Sequence, residues 1–127
     1  MLTGNNKRPV FLTLYQIRLP VTAVLSIFHR VFGVIMVIAI PFLIYQLDKS
    51  VTSEQAYDEV VECLSSPWLR VLTGLLAWFF IYHLLAGIRF LILDLDIGTE
   101  RVMARNSAWL VYALALLAAV ALMAVLL

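Results

Sequence analysis

One of the two histidines in the sequence, His83, stands inside a long run of apolar residues. An ionisable side chain within such a run is costly to bury and is generally functional. A neutral imidazole can donate a hydrogen bond from one ring nitrogen and bind a metal ion or a haem iron through the other. From this residue alone, two interpretations are equally well supported: an axial haem ligand, and a hydrogen bond between helices.

A second polar group, Ser26, His29 and Arg30, interrupts another apolar run. Ser26 and Arg30 are four residues apart and share a helix face, with His29 at its border. An arginine beside a hydroxyl can bind a polar ligand head such as a quinone carbonyl, and arginine or histidine can pair with haem propionates. Snorkelling of Arg30 towards lipid headgroups is the structural alternative.

These residues need membrane helices to position them, because 64% of the 127 residues are hydrophobic and only 13% are charged. A soluble domain is about half apolar and about a quarter charged. Three runs, 19–47, 68–93 and 107–127, reach the roughly 20 residues that a membrane-spanning helix needs. Since open sheet edges do not occur in lipid, we expect an all-α chain, residues 1–127, forming a single domain with three transmembrane helices.

The polar residues are expected at one depth. His29 lies about 13 Å from Pro20 along the first helix, and His83 about 16 Å from Asp94 along the second, by helix rise. Consecutive membrane helices run in opposite directions, so both histidines lie in the same half of the bilayer. Two small residues one turn from His83, Ala86 and Gly87, would either make room for a flat macrocycle or allow close packing of helices.

The loops predict the orientation. Residues 48–66 are acidic, whereas the basic residues cluster before the first span and around residues 94–106. The positive-inside rule therefore predicts a cytoplasmic N-terminus and loop 94–106, with loop 48–66 and the C-terminus outside. Within loop 48–66, the segment Thr52-Ser53-Glu54-Gln55, followed by Ala56-Tyr57, is typical of the capped start of a short helix. Pro67 is predicted to open the second span.

Composition also excludes some functions. The net charge of +1 gives no electrostatic case for nucleic-acid binding. A lone cysteine, Cys63, excludes an internal disulfide and a multi-cysteine metal site. No cleavable secretion signal is visible near Met1, so we expect the first helix to direct its own insertion.

Two stretches of the sequence resemble the cytochrome b membrane-anchor subunits of succinate dehydrogenase, respiratory Complex II, which have three membrane helices. The stretches are Arg8-Pro9 followed by Ser26-Ile27-Phe28-His29-Arg30-Val31-Phe32-Gly33, and His83-Leu84-Leu85-Ala86-Gly87-Ile88-Arg89-Phe90 with Asp94. The sequence departs from the family pattern at Phe90, where a second histidine is usual, and at Phe32, where a small polar residue is usual.

The resemblance implies a role for each matching residue. His83 corresponds to one axial ligand of haem b, the other coming from a histidine of a second anchor subunit. His29 and Arg30 correspond to residues beside the haem propionates. Ser26 and Arg30 correspond to residues of the ubiquinone pocket, with Ile27 and Asp94 close to it. Because the ligand matches the first motif histidine, Phe90 does not remove the haem site.

The resemblance further implies a subunit without catalytic residues of its own. FAD and iron–sulphur clusters would belong to a flavoprotein and an iron–sulphur partner, and a heteromeric helix bundle would form with the second anchor subunit in a bacterial inner membrane. Electrons from succinate would then reach ubiquinone. Three alternatives stay open: an anchor of quinol:fumarate reductase, a stand-alone cytochrome in which His29 and His83 bind the same haem, and a structural membrane adaptor without a cofactor.

Overall fold

The computed structural model describes residues 18–126, and within this range the chain is helical without strands. Its helices are α1 (Val21–Ser50), α2 (Glu54–Ser65), α3 (Pro67–Asp94) and α4 (Arg101–Leu126). Three of them, α1, α3 and α4, are long and apolar enough to cross a membrane. The predicted all-α class and the three spans are confirmed. The expectations for residues 1–17 and for Leu127 lie outside the described residues.

The ends of the helices differ from the predicted spans for a simple reason. Charged residues marked the limits of each apolar run, but a charge does not end a helix. The last helix begins at Arg101, six residues before the predicted start of the span at 107, because the intervening residues include good helix formers such as Met103, Ala104 and Arg105. The polar side chains among residues 101–106 lie at the end of the helix, where headgroups and water can solvate them.

Local signals explain the turn between α1 and α3. The short helix predicted to begin in this segment is α2, and its capping residue is Ser53, whose side chain accepts a 3.1 Å hydrogen bond from the backbone N–H of Ala56. Pro67 opens α3, where its missing N–H costs nothing. A salt bridge of 2.8 Å between Lys49 and Glu59 holds α2 against the end of α1.

A small interior forms where α3 packs between α1 and α4. The buried residues of this core are Leu25, Phe32, Tyr82, Ala86, Ala108, Val111 and Ala115. Alanines at the α3–α4 contact let the two backbones approach closely, as is common between membrane helices. Trp78 adds a tie between these helices, since its Nε1 donates to the Ala115 carbonyl over 2.8 Å.

The remaining helix surface is largely apolar and exposed, for example at Val37 and Ile38, which are 65% and 71% exposed. Such a surface needs lipid or other membrane helices around it. The protein is therefore a multi-pass membrane protein. Three of its polar residues of interest, His29, Arg30 and His83, lie in a groove between α1 and α3.

Candidate functional site

The imidazole of His83 lies against the backbone of α1. Its Nδ1 is 2.9 Å from the carbonyl oxygen of His29. A carbonyl can only accept, so this contact is a hydrogen bond when Nδ1 carries the proton. In the neutral ring the lone pair then lies on Nε2, which has no hydrogen-bond partner among residues 18–126. The contact is the hydrogen bond between helices that was one of the two interpretations of His83. It is also compatible with metal binding, since a metal-binding histidine usually donates its other N–H to a carbonyl or carboxylate.

Gly33 makes this close approach feasible. A Cβ at position 33 would lie 2.9 Å from Cε1 and 3.3 Å from Nδ1 of His83. The first distance is shorter than real Cβ contacts, and the ring is held by its hydrogen bond to the α1 backbone. A side chain at position 33 would therefore push the imidazole away from α1. Gly33 appeared in the sequence motif, but its contact with His83 was not predicted.

The His29 ring covers the face of the His83 ring. Their centroids are 3.9 Å apart and their planes differ by 13°. The Phe90 ring packs against the His29 imidazole in an edge-to-face arrangement, with the two ring centroids 5.2 Å apart. Two histidines that bind one haem iron must face each other across the porphyrin plane, whereas these rings are in contact. The arrangement does not favour a haem held by His29 and His83 together.

Two connected grooves open beside His83 between α1 and α3. One, of about 730 Å³, runs towards the α2 end of the bundle past Val37, Ile40 and Phe80. The other, of about 480 Å³, is lined by His29, Arg30 and His83 together with apolar residues. Residues near the N-terminus of α1 and residues near the C-terminus of α3 thus meet, as their predicted depths required. The polar side chains that line the two grooves are Arg30, the two imidazoles and Thr73, whose hydroxyl donates to carbonyls of its own helix.

The other predicted site residues lie towards the same end of the bundle. Ser26 is half-buried one turn before Arg30, while Ile27, Arg30 and Asp94 are exposed. Neither the Ser26 hydroxyl nor the Asp94 carboxylate has a hydrogen-bond or ion-pair partner among residues 18–126. These polar groups are thus available to a ligand or to a neighbouring subunit.

Arg89 has a structural role. It is only 6% exposed, and its Nε donates to the Ser107 hydroxyl at 2.9 Å while its Nη2 donates to the Ala104 carbonyl at 2.8 Å. These bonds join α3 to α4. The contact between Arg89 and Ser107 was not predicted from the sequence. Nothing in the sequence pattern pairs residues 18 positions apart on different helices.

Ala86 and Gly87 have separate environments. Ala86 is completely buried in the α1–α3–α4 core, so close packing of helices is its role here. Gly87 faces His29, and a Cβ there would lie 3.5 Å from Nε2 of His29, which is ordinary contact. The space beside His83 therefore depends on Gly33 rather than on these two residues. No cluster of three or more metal-binding side chains occurs within residues 18–126.

Comparison with known proteins places this arrangement in context. Residues 4–122 match the sequence model of a family described as succinate dehydrogenase/fumarate reductase transmembrane subunit. A succinate dehydrogenase cytochrome b556 subunit of Coxiella burnetii is 31% identical over 117 residues, which cover 91% of this chain and 94% of that protein. A protein of the same name from Paracoccus denitrificans is 35% identical over 107 residues, covering 83% of this chain and 81% of the relative.

Proposed function

The chain belongs to the succinate dehydrogenase/fumarate reductase transmembrane subunit family, and from this premise we propose that it provides half of a haem b site and part of a ubiquinone-reduction site. The single observation that carries the proposal is the hydrogen bond between Nδ1 of His83 and the His29 carbonyl, 2.9 Å long. It leaves Nε2 of His83 as a free ligand atom beside an apolar groove. Both similar proteins are named cytochrome b556 subunits.

The residues present fit a b-type haem. A porphyrin needs an apolar container, which the grooves between α1 and α3 supply. Its propionates need cations or hydrogen-bond donors, and Arg30 and His29 lie in the same groove as His83. When bound, haem supplies one-electron redox chemistry. The hydrogen bond to the His29 carbonyl would orient the ligand ring, and the stacked His29 ring covers one of its faces.

This chain would supply one histidine, His83, to hold the haem. Since the His29 ring covers the face of His83, a second histidine would come from another subunit. The exposed apolar surface around the α1–α3 groove, which includes Val34 and Val37, gives such a subunit a place to pack. We therefore propose a second membrane-anchor subunit that supplies the opposite histidine.

Ubiquinone is the proposed electron acceptor. Negative charge develops on the quinone oxygens as electrons arrive, and the Arg30 guanidinium and the Ser26 hydroxyl would stabilise that charge and orient the ring. Both residues lie in the first third of α1, near the end where Asp94 and Ile27 are exposed. Dicarboxylate oxidation, FAD and the iron–sulphur clusters belong to the flavoprotein and iron–sulphur partners in this proposal.

The same anchor could serve a quinol:fumarate reductase, and the family description includes both enzymes. Both relatives are named for succinate dehydrogenase, which favours succinate oxidation as the direction. We place the protein in a bacterial inner membrane, with its N-terminus in the cytoplasm and its C-terminus in the periplasm.

Expression with and without the second anchor subunit tests this proposal. The chain produced alone should hold haem weakly or with a five-coordinate, high-spin spectrum. Together with the second anchor, the flavoprotein and the iron–sulphur protein, it should give a stable complex with one low-spin haem b. A low-spin bis-histidine spectrum from the chain alone would support the stand-alone cytochrome instead, and failure to copurify with the other subunits would reject the proposed assembly.

A further inference from the structure

A groove between α3 and α4, at the α2 end of the bundle, contains none of the residues of the proposed haem and quinone site. It encloses about 700 Å³. Its apolar walls are formed by Val71, Leu75 and Trp78 on α3 and by Ala119, Leu122 and Met123 on α4. Ser65 and Arg70 line the end nearest the junction of α2 and α3, and they supply its only strongly polar groups.

The length of this groove matches one leaflet of a bilayer. From Pro67 to Trp78 the α3 helix rises about 16 Å, close to half of the roughly 30 Å hydrocarbon thickness. At the inner end, Trp78 bridges the two helices through its 2.8 Å hydrogen bond to the Ala115 carbonyl. The groove is therefore open at the membrane surface, apolar along one leaflet, and bounded near the middle of the bilayer.

Arg70 stands at the surface end with most of its hydrogen-bonding capacity unused. Its Nη2 donates to the Ser65 carbonyl at 3.1 Å, which caps the end of α2. Its other N–H groups have no partner among residues 18–126. Within residues 18–126, no carboxylate forms a salt bridge with Arg70, and the α2 residue Glu59 pairs with Lys49 instead.

We infer that this groove binds an anionic phospholipid, with the phosphate on the Arg70 guanidinium and one acyl chain along Val71, Leu75 and Leu122. A guanidinium matches phosphate oxygens in geometry and charge. Its uncompensated positive charge favours a lipid with net negative charge over a zwitterionic lipid, which carries its own cation. Free phosphate would use Arg70 but gain nothing from the apolar walls.

Native mass spectrometry of the whole complex, purified in mild detergent with its partner subunits, tests this inference. The probe is phosphatidylglycerol, with phosphatidylcholine and inorganic phosphate as comparisons. Arg70→Gln should weaken phosphatidylglycerol binding about tenfold, the effect of losing a charge-assisted contact. Arg105→Gln, which removes an exposed arginine at the other end of the bundle, should leave binding unchanged.

A second pair of variants tests the groove independently of the charge. Ala119→Leu fills the space between α3 and α4 and should reduce phosphatidylglycerol binding, whereas Ala124→Leu on the exposed part of α4 should not. If the Arg70→Gln complex assembles poorly, Arg70→Lys takes its place and should retain part of the phosphatidylglycerol binding. Equal binding by Arg70→Gln and Arg105→Gln, no preference over phosphatidylcholine, or displacement by inorganic phosphate would overturn the inference.

Discussion

At position 33 of α1, a single hydrogen atom in place of a methyl group lets the His83 imidazole lie on the helix backbone. A Cβ there would be 2.9 Å from the ring, whereas a Cβ at Gly87 would be 3.5 Å from the neighbouring His29 ring. The two glycines thus form a natural pair in which one substitution is obstructed and the other is tolerated.

We expect Gly33→Ala to displace His83 and to lower haem content or to broaden and shift the Soret band of the purified complex. Gly87→Ala should resemble the unsubstituted protein, because its methyl group meets only ordinary van der Waals contact. Haem per complex and the visible spectrum of both variants measure the difference. Equal spectra for the two variants would show that the approach of His83 to α1 is not needed for the site.

Arg30 gives a second test at this scale. Arg30→Ala should reduce succinate–quinone activity, on the order of a hundredfold for loss of a charge-stabilising donor. Succinate oxidation measured with a water-soluble dye should change little, because that reaction ends before the membrane. Arg105→Ala serves as the control, being exposed on α4. Equal losses in the two assays would argue for a general defect of assembly and against a quinone role.

Depth along antiparallel helices predicted that His29, Arg30 and His83 lie close together, and these three side chains line one groove. Ser26 does not line that groove and lies one turn before Arg30. The sequence could not predict the stacking of the two imidazoles or the contact of Gly33 with His83. Those features depend on the rotation of each helix about its own axis, which is set by the buried contacts of Phe32, Tyr82 and Ala86. A lipid-binding role of Arg70 was not predicted either, because charged residues are common at the ends of membrane helices.

At the scale of elements, Arg89 joins α3 to α4 through Ser107 and the Ala104 carbonyl. Ser107→Ala would leave the buried Nε–H without its acceptor, at a cost of about 1–3 kcal/mol. We expect a lower thermal unfolding temperature for the complex, by a few degrees.

Ser50→Ala is the matched control for this change, since Ser50 is bonded only to the Leu47 carbonyl of its own helix. Unfolding of both variants can be followed by tryptophan fluorescence. If the two serine variants unfold at the same temperature, the contact between Arg89 and Ser107 does not stabilise the packing of α3 on α4.

Hydropathy predicted which segments form the membrane helices, but it did not predict where each helix ends or which side chains contact each other between helices. The capped start of α2 and the opening proline of α3 were predicted correctly, because both signals act over a few residues. The start of α4 at Arg101 was not predicted, because the predicted span began at the first residue of the apolar run and helix propensity was not considered. Unbroken continuation of α1 through Pro41 is likewise compatible with membrane helices, in which prolines are tolerated.

At the scale of the whole molecule, the topology can be tested with the natural cysteine. Cys63 is exposed on α2, in the loop placed outside the cytoplasm. A membrane-impermeant maleimide should label it in intact spheroplasts. A cysteine introduced as Glu100→Cys in a Cys63→Ser background should react only after permeabilisation. The reverse pattern would invert the topology and place the proposed quinone site in the periplasmic half of the membrane.

We propose that His83 binds the haem iron and that the backbone carbonyl of His29 orients the His83 ring. His29 contributes a backbone carbonyl to His83, and that carbonyl survives replacement of its side chain. The most direct measurement is therefore the visible spectrum of the purified complex with His83→Leu or His29→Leu. We predict loss of the low-spin Soret band in the first variant and its retention, with at most a small shift, in the second. An unchanged spectrum in His83→Leu would contradict the claim.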